Sequence, residues 1–314
     1  MRSPAWPMSE AAPLRLGSRG SALARWQADA VARRLAAVGQ ASRIAYVTTT
    51  GDRRTDVPLA AIGGKGLFTQ EIEAGLLAGE LDAAVHSLKD VPSTLPEGLV
   101  LGAILEREDA RDVLIAPPGT TLESLAQGAR VGTSSLRRQA QLLMLRPDVT
   151  VLPLRGNVDT RLRKYREGEF DALLLAAAGL DRLGLSQAIS ERLAIEQFLP
   201  AAGQGVLAIE CRAEDAATLA QLRPLHHAPT AEAIAAERAL LRRLDCGCQA
   251  PVAAYAETAG EELTLRALVA APDGRRVVRA EASGARQEAE RVGVQLAETL
   301  LDEGADEILR AIYG

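Results

Sequence analysis

A strand–helix pattern runs twice through the first two-thirds of this 314-residue chain, and no other feature limits its fold as much. Residues 14–18 read as a short strand. Ser21 then caps a helix to about residue 38, with Leu23, Trp26, Ala30, Val31 and Leu35 at helical spacing. A strand at 44–49, a glycine-rich stretch, a helix over about 69–78 and a buried strand ending at His86 complete the first pass. In the second pass residues 130–132 form a strand, and Thr133-Ser134-Ser135 cap a helix to about residue 145. A strand at 149–154, a helix over about 159–166 and a strand at 172–176 follow. Two local matches support an internal duplication. Gly79-Glu80-Leu81-Asp82-Ala83 answers Gly168-Glu169-Phe170-Asp171-Ala172, and Gly17-Ser18 before a helix answers Gly132-Thr133-Ser134. The pattern predicts two similar α/β lobes with a cleft between them, a favoured place for a ligand.

The remainder is built differently. Residues 199–205 are turn-rich and precede a strand at 206–210; the spacing allows a return of the chain to the first lobe but does not fix it. A long helix runs from about 230 to 244. Strands follow at 252–255, 263–271 and 275–282, with Pro272-Asp273-Gly274 in the last hairpin turn. A helix at 286–301 carries Val292, Leu296 and Leu300 on one face. This predicts a small C-terminal α+β domain with an antiparallel sheet.

Aromatic residues make up 3% of the chain, so its core must be aliphatic. No apolar run reaches the roughly 18 residues of a membrane span. Residues 1–13 lack the apolar segment of a secretory signal and read as a disordered extension, with Met8 as an alternative start. Three cysteines point to a reducing cytoplasm. A net charge of −5 argues against a nucleic-acid partner. There are 33 arginines and three lysines, a bias that base composition explains, so only arginine position is informative.

Chemistry concentrates where the strand at 81–85 runs into His86-Ser87-Leu88-Lys89-Asp90-Val91-Pro92. Pro92 ends the strand, so a lysine and an aspartate are delivered at its C-terminal end, where open α/β sheets bind ligands. Asp90 then suits acid–base or cation-stabilising work, unless the pair is an ordinary solvated loop contact. Arg19, Arg137, Arg138, Arg155 and Arg161 fall at strand ends and helix starts. Cations there oppose the helix dipole, and their natural use is to grip carboxylates or phosphates. The hydroxyls of Ser21, Thr133, Ser134 and Ser135 add donors. Gly63-Gly64-Lys65-Gly66 lacks the spacing of a phosphate-binding loop and reads as a hinge or lid. Cys211 reads as inert core. Cys246 and Cys248 lie in a loop whose spacing fits no usual zinc pattern, so no metal is expected and a reactive or modified thiol is the better functional reading.

Taken in order, these segments resemble the porphobilinogen deaminase (hydroxymethylbilane synthase) family from Leu14 to the C-terminus. The motifs that carry the resemblance are Gly63-Gly64-Lys65-Gly66-Leu67-Phe68, Val85-His86-Ser87-Leu88-Lys89-Asp90-Val91-Pro92, Gly132-Thr133-Ser134-Ser135-Leu136-Arg137-Arg138-Gln139, Leu154-Arg155-Gly156-Asn157 and Gly203-Gln204-Gly205. The resemblance implies two lobes of the type II periplasmic-binding-protein kind with a cleft between them, plus the small C-terminal domain. The first lobe would hold residues 1–106 and 204–226, the second 107–203, and the third domain 227–314. It implies a dipyrromethane cofactor joined through a thioether to Cys248, on which four porphobilinogen units are condensed with loss of ammonia before hydrolysis releases hydroxymethylbilane.

Asp90 matches the catalytic aspartate. Arg19, Arg137, Arg138, Arg155 and Arg161 match arginines that bind acetate and propionate groups. Ser21, Ser87, Lys89, Thr133, Ser134, Ser135 and Gly156 match further contacts, and Gly63, Gly64, Lys65, Gly66 and Phe68 match a flexible lid. The family pattern often has glycine where Cys246 stands. The implied protein is a cytoplasmic monomer without nucleic-acid or membrane partners, whose product passes to the next enzyme. Two other readings are a carboxylate-binding protein without chemistry and a Cys-x-Cys redox or metal protein. The Lys-Asp pair and the modifiable cysteine speak against the first, and the cysteine spacing against the second.

Overall fold

The computed structural model describes residues 12–53, 69–247 and 250–313. The lid residues Gly63, Gly64, Lys65, Gly66 and Phe68, the attachment residue Cys248 and most of the N-terminal extension lie outside the described residues.

The duplication is visible in the order of the strands. The first sheet holds β1 (Leu14–Arg19), β2 (Ser42–Val47), β3 (Ala83–Ser87), β4 (Leu99–Ile104) and, from much later in the chain, β10 (Leu207–Arg212). Its order is β2-β1-β3-β10-β4, with β10 antiparallel to both neighbours. The second sheet holds β5 (Asp112–Ile115), β6 (Arg130–Gly132), β7 (Thr150–Leu152), β8 (Ala172–Ala176) and β9 (Glu191–Arg192) in the order β7-β6-β8-β5-β9, and here β5 is the antiparallel strand. Position for position the two orders agree. In each sheet the reversed strand is the first one laid down after the chain has crossed over.

Sequence chemistry explains the helices. Ser21 caps α1 (Ala22–Ala37), its Oγ accepting from the Ala24 N–H at 3.3 Å. Val31 and Leu35 of α1 pack on Leu14, Leu16, Val85 and Ile209 of the first sheet. Each such side chain contributes about 1.5–3 kcal/mol when fully buried. A short helix, α2 (Thr50–Arg53), precedes α3 (Gln70–Leu77), which sets Ile72 and Leu76 against Leu81, Ala84 and Leu99. In the second unit α4 (Leu136–Leu145) and α5 (Val158–Arg166) are capped by Ser135 and Asn157, and α6 (Ala177–Arg182) follows β8 directly. After β10, α7 (Ala216–Leu222) packs back on the first sheet through Leu222.

The last unit runs α8 (Ala228–Arg243), β11 (Val252–Ala259), β12 (Glu262–Ala270), β13 (Val277–Ala285), α9 (Ala289–Asp302) and α10 (Ala305–Tyr313). Its sheet is antiparallel, β11-β12-β13. Leu263, Leu265, Ala267 and Val269 of one face meet Leu240, Val292, Leu296 and Leu300. On the other face Ala253, Leu268 and Ala270 meet Ala140 of α4 and Leu199. The third unit therefore touches the second through its sheet. It reaches the first through Ile234 of α8, which packs with Leu88, Val91 and Val206.

One buried carboxylate joins these parts. Glu237 of α8 has no exposed side-chain surface and accepts from Arg107 Nη2 at 2.6 Å, Gly203 N at 2.7 Å and Ala256 N at 2.8 Å. Arg107 and Gly203 lie on the two segments that cross between the sheets. Glu237→Ala leaves a nearly buried guanidinium and two amides unpaired, so the expected loss of stability is about 3–5 kcal/mol. Urea denaturation followed by circular dichroism checks this; a loss below about 1 kcal/mol contradicts it.

Candidate active site

β3 ends at Ser87, and a single 3₁₀ turn, Leu88–Asp90, takes the chain off the sheet. Leu88 is buried and anchors the turn, while Lys89 and Asp90 stay half-buried. Ser87 accepts a hydrogen bond from the buried Gln27 Nε2 of α1 at 2.7 Å. His86, the residue before, points to a different partner: its Nε2 lies 3.0 Å from Glu210 Oε2 on β10, with both side chains buried. His86 is thus part of the core of the first sheet.

From the second unit come the arginines. Ser135 caps α4, and its Oγ accepts from the Arg138 N–H. The opening turn of α4 thereby places Arg137 and Arg138 over the start of β5. There both guanidiniums meet Asp112, which is fully buried. Arg137 Nη1 donates to Asp112 Oδ2 at 2.6 Å, and Arg138 Nε and Nη2 donate to Oδ1 at 2.9 and 2.8 Å. Arg137 Nη1 also reaches the Leu199 carbonyl at 2.6 Å. The two arginines hold the Asp112 carboxyl far below the usual carboxylate range despite its burial.

Gln204 completes this cluster from the returning crossover. Its Nε2 donates to Asp112 Oδ1 at 2.9 Å and to the Ala110 carbonyl at 2.7 Å, and its Oε1 accepts from Lys89 Nζ at 3.5 Å. Gly203 and Gly205 flank it at φ +73 and +84; a Cβ on Gly205 would stand 2.6 Å from the Glu108 carbonyl. Glycine is needed here because the two crossing segments lie in contact.

The remaining predicted residues surround the same place. Thr133 is buried, its Oγ1 accepting from Ser135 N at 3.2 Å. Ser134 both donates to and accepts from the Leu154 backbone at 3.0 Å. That exchange fixes the loop after β7, where Arg155, Gly156 (φ +107) and the helix cap Asn157 follow. Arg161 of α5 donates through Nε to the Gly156 carbonyl at 2.7 Å. Ser21 is occupied as the cap of α1, and Arg19 ends β1.

The electrostatics tie the groups into one site. Burial pushes the Lys89 ammonium down to about 8; Arg138 and Arg137 add to that, while Asp90 and Asp112 oppose it. Burial likewise pushes Arg161 down to about 10, with Arg138 and Arg155 repelling it and Asp90 attracting it. Five cations, Lys89, Arg137, Arg138, Arg155 and Arg161, thus share a field with two carboxylates, Asp90 and Asp112. Asp112 is taken up by its pairs. Among the described residues no hydrogen bond or ion pair occupies Asp90. The result is a site with surplus positive charge and one available carboxylate.

Comparison with known proteins gives this geometry a family. The family model described as "Porphobilinogen deaminase, dipyromethane cofactor binding domain" matches residues 14–220, and the one described as "Porphobilinogen deaminase, C-terminal domain" matches residues 231–302. The chain belongs to the porphobilinogen deaminase family. A porphobilinogen deaminase from Syntrophotalea carbinolica is 53% identical over 301 residues, covering 95% of this chain and 96% of that protein. Among solved structures, a putative methionine-binding lipoprotein from Bacillus subtilis is 12% identical with a TM-score of 0.42, covering 68% of this chain and 90% of the other. A periplasmic substrate-binding protein of an ABC transporter from Coxiella burnetii is 15% identical with a TM-score of 0.41, covering 72% and 96%. Neither likeness adds to the assignment.

The residues present fit the cofactor of this family. Each pyrrole of a dipyrromethane carries an acetate and a propionate, and the site has cations in excess. The Arg137 Nε is a buried donor without a hydrogen-bond partner. Sequence reasoning found the arginines but missed what two of them hold. Asp112 had a signal, a carboxylate opening the apolar run Val113-Leu114-Ile115, and Gln204 sits inside the motif Gly203-Gln204-Gly205, whose turn-rich surroundings give its side chain no role.

Asp112→Asn leaves two buried guanidiniums facing a neutral amide. The expected loss is about 3–5 kcal/mol, seen as a lower melting temperature at pH 7. The depressed carboxyl stabilises the fold at every pH above its unfolded value, so the gap between wild type and variant stays constant from about pH 5 upward and narrows only in acid. A gap that closed near neutrality would contradict this account.

Proposed function

We propose that this chain condenses four molecules of porphobilinogen head to tail, with loss of ammonia from each, and then hydrolyses off the linear tetrapyrrole hydroxymethylbilane. The observation that carries the reading is the available Asp90 carboxylate at the end of β3, set among cations that outnumber the carboxylates. When bound, the dipyrromethane supplies the electron-rich pyrrole carbon on which the first unit is added. Departure of ammonia needs a proton at the amine nitrogen, then an anion beside the pyrrole N–H as the ring turns electron-deficient. Asp90 serves as the acid in the first and as the carboxylate in the second.

Lys89, Arg155 and Arg161, with Arg19, Ser21 and Ser87 from the first unit, hold the acetate and propionate groups and so orient each ring. Arg137 and Arg138 hold Asp112 and still contribute charge toward Lys89, and Arg138 also toward Arg161. Thr133, Ser134, Ser135 and Gly156 shape the loops that present them. Cys248 is the attachment residue in this reading. The neighbouring Cys246 and Gly247 line a cavity with Leu88 and Lys89, which supports it. With the reading go a first lobe of residues 1–106 and 204–226, a second of 107–203, a third domain of 227–314, a cytoplasmic monomer, and a product passed to the next enzyme of tetrapyrrole synthesis. Among the described residues no helix is long and apolar enough to cross a membrane.

The deciding experiment is the intact mass of the purified protein beside its Cys248→Ser variant. An excess of two pyrrole units in the first and none in the second is expected. An adduct that persists in the variant moves the attachment to Cys246, and no adduct after incubation with porphobilinogen refutes the reading. Asp90→Ala is expected to keep its circular dichroism and lose at least about 100-fold in kcat; unchanged turnover removes Asp90 from its role.

Lys89 sets a pH limit. Its ammonium is charged below about pH 8 and neutral above, so KM for the anionic substrate should rise as pH passes 8. Lys89→Arg should flatten that rise, because arginine stays charged there. A KM profile identical in both proteins rejects the assignment.

A further inference from the structure

One buried cation outside this cluster is held in a different way. Arg238 lies on α8 and exposes 9% of its surface. Among the described residues no carboxylate stands within ion-pair distance of it. Its partners are three successive backbone carbonyls of the first unit. Nη2 donates to Pro92 O at 2.7 Å and Ser93 O at 3.1 Å, and Nη1 donates to Val91 O at 3.5 Å. Burial pushes this guanidinium down to about 10, Arg242 adds to that, and Glu210 partly offsets it. A methionine would fill the volume without the cost of a buried charge. What arginine supplies is a fork of donors for a segment that belongs to no helix or strand.

That segment, 91–93, is the direct continuation of the turn that carries Lys89 and Asp90. One turn earlier on the same face of α8, Ile234 packs on Leu88 and Val91. The helix therefore grips the turn with an apolar contact on one side and a polar clamp on the other. It then ends at Arg243, and the chain swings through Asp245, at φ 46, into Cys246 and Gly247. Those two residues line the same cavity as Lys89, Ser93 and Arg238. One rigid element thus links the segment bearing Asp90 to the loop bearing the thiols.

We propose that Arg238 is a positioning residue: by clamping 91–93 to α8, it fixes the distance between the Asp90 carboxylate and the loop from which the pyrrole chain grows. The proposal rests on the reading of Asp90 and Cys248 given above. It assigns Arg238 no contact with substrate. It predicts a defect in the chemical step, graded by how many of the three carbonyls the replacement can reach.

The test uses the holoenzyme and Arg238→Lys and Arg238→Met. Both variants should fold and carry the same two-pyrrole mass excess as wild type. In Arg238→Met, kcat should fall at least about tenfold with KM within about twofold, since displacement of a reacting group by about 1 Å costs that much or more. Arg238→Lys should lie between Met and wild type. Hydrogen exchange should quicken at the amides of 90, 91 and 93–95 in Arg238→Met and stay unchanged in β11–β13. A folded, loaded Arg238→Met with kcat within twofold of wild type overturns the proposal. So does a deficit that follows melting temperature alone, or one in which KM rises while kcat holds. If Arg238→Met does not fold, the kcat and exchange of Arg238→Lys decide by the same criteria. Should wild type show neither adduct nor turnover, the functional reading fails by itself, and the exchange comparison still decides whether the clamp exists.

Discussion

Everything in the cleft hangs on the bonding of one carboxylate. Asp112 opens β5 beside the C-terminal end of β8, with two guanidiniums on its oxygens and the Gln204 amide beside them. These partners come from two places: α4 supplies both arginines, and the returning crossover supplies the glutamine. Gln204 then accepts from Lys89, whose turn belongs to the first sheet. A single anion thereby sets the start of a helix, the course of a crossover and the surroundings of the reactive turn. Its charge also explains how two arginines survive in the first turn of a helix, where the dipole disfavours them.

The surplus of positive charge follows from the same arrangement. Asp112 neutralises one unit of the field made by Arg137 and Arg138, and the remainder acts on Lys89 and Arg161. Loss of solvent lowers the Lys89 ammonium and the Arg161 guanidinium most, and this repulsion lowers them further. An acidic ligand relieves this strain by bringing its own counter-charge, so affinity for carboxylates is the reverse face of the depressed cations. The overall charge of −5 has no bearing on this, because fields inside a cleft are set by the groups that line it.

Much of this was legible in the residues. Short apolar runs and helical spacing located β1, α1, β6, β8 and the whole C-terminal sheet, and the helix caps Ser21 and Ser135 stand where predicted. Strands β4, β5 and β9 went unread. The two-residue β9 is too short to show a pattern, and the four-residue β5 opens on a charged residue, Asp112, whose burial the short apolar run Val113-Leu114-Ile115 does not announce. The destination of Arg137 and Arg138 was hidden for another reason. A guanidinium that will bind a ligand and one that will bind a buried aspartate look alike in sequence; only the fold brings Asp112 beneath them. Arg238 was equally silent, since its partners are backbone carbonyls that every residue possesses.

The exchanged strands β5 and β10 have a consequence for how the molecule is made. All five strands of the second sheet lie between Asp112 and Arg192, so that sheet can close as soon as its own stretch has left the ribosome. The first sheet cannot. Although its other four strands come first in the chain, β3 and β4 do not pair with each other and are joined only through β10, which comes more than a hundred residues later. During synthesis the amino-terminal half therefore waits with an open seam while a unit nested inside it finishes first. Strand β10, which fills that seam with Ile209 and Glu210, is where two independent assemblies become one protein.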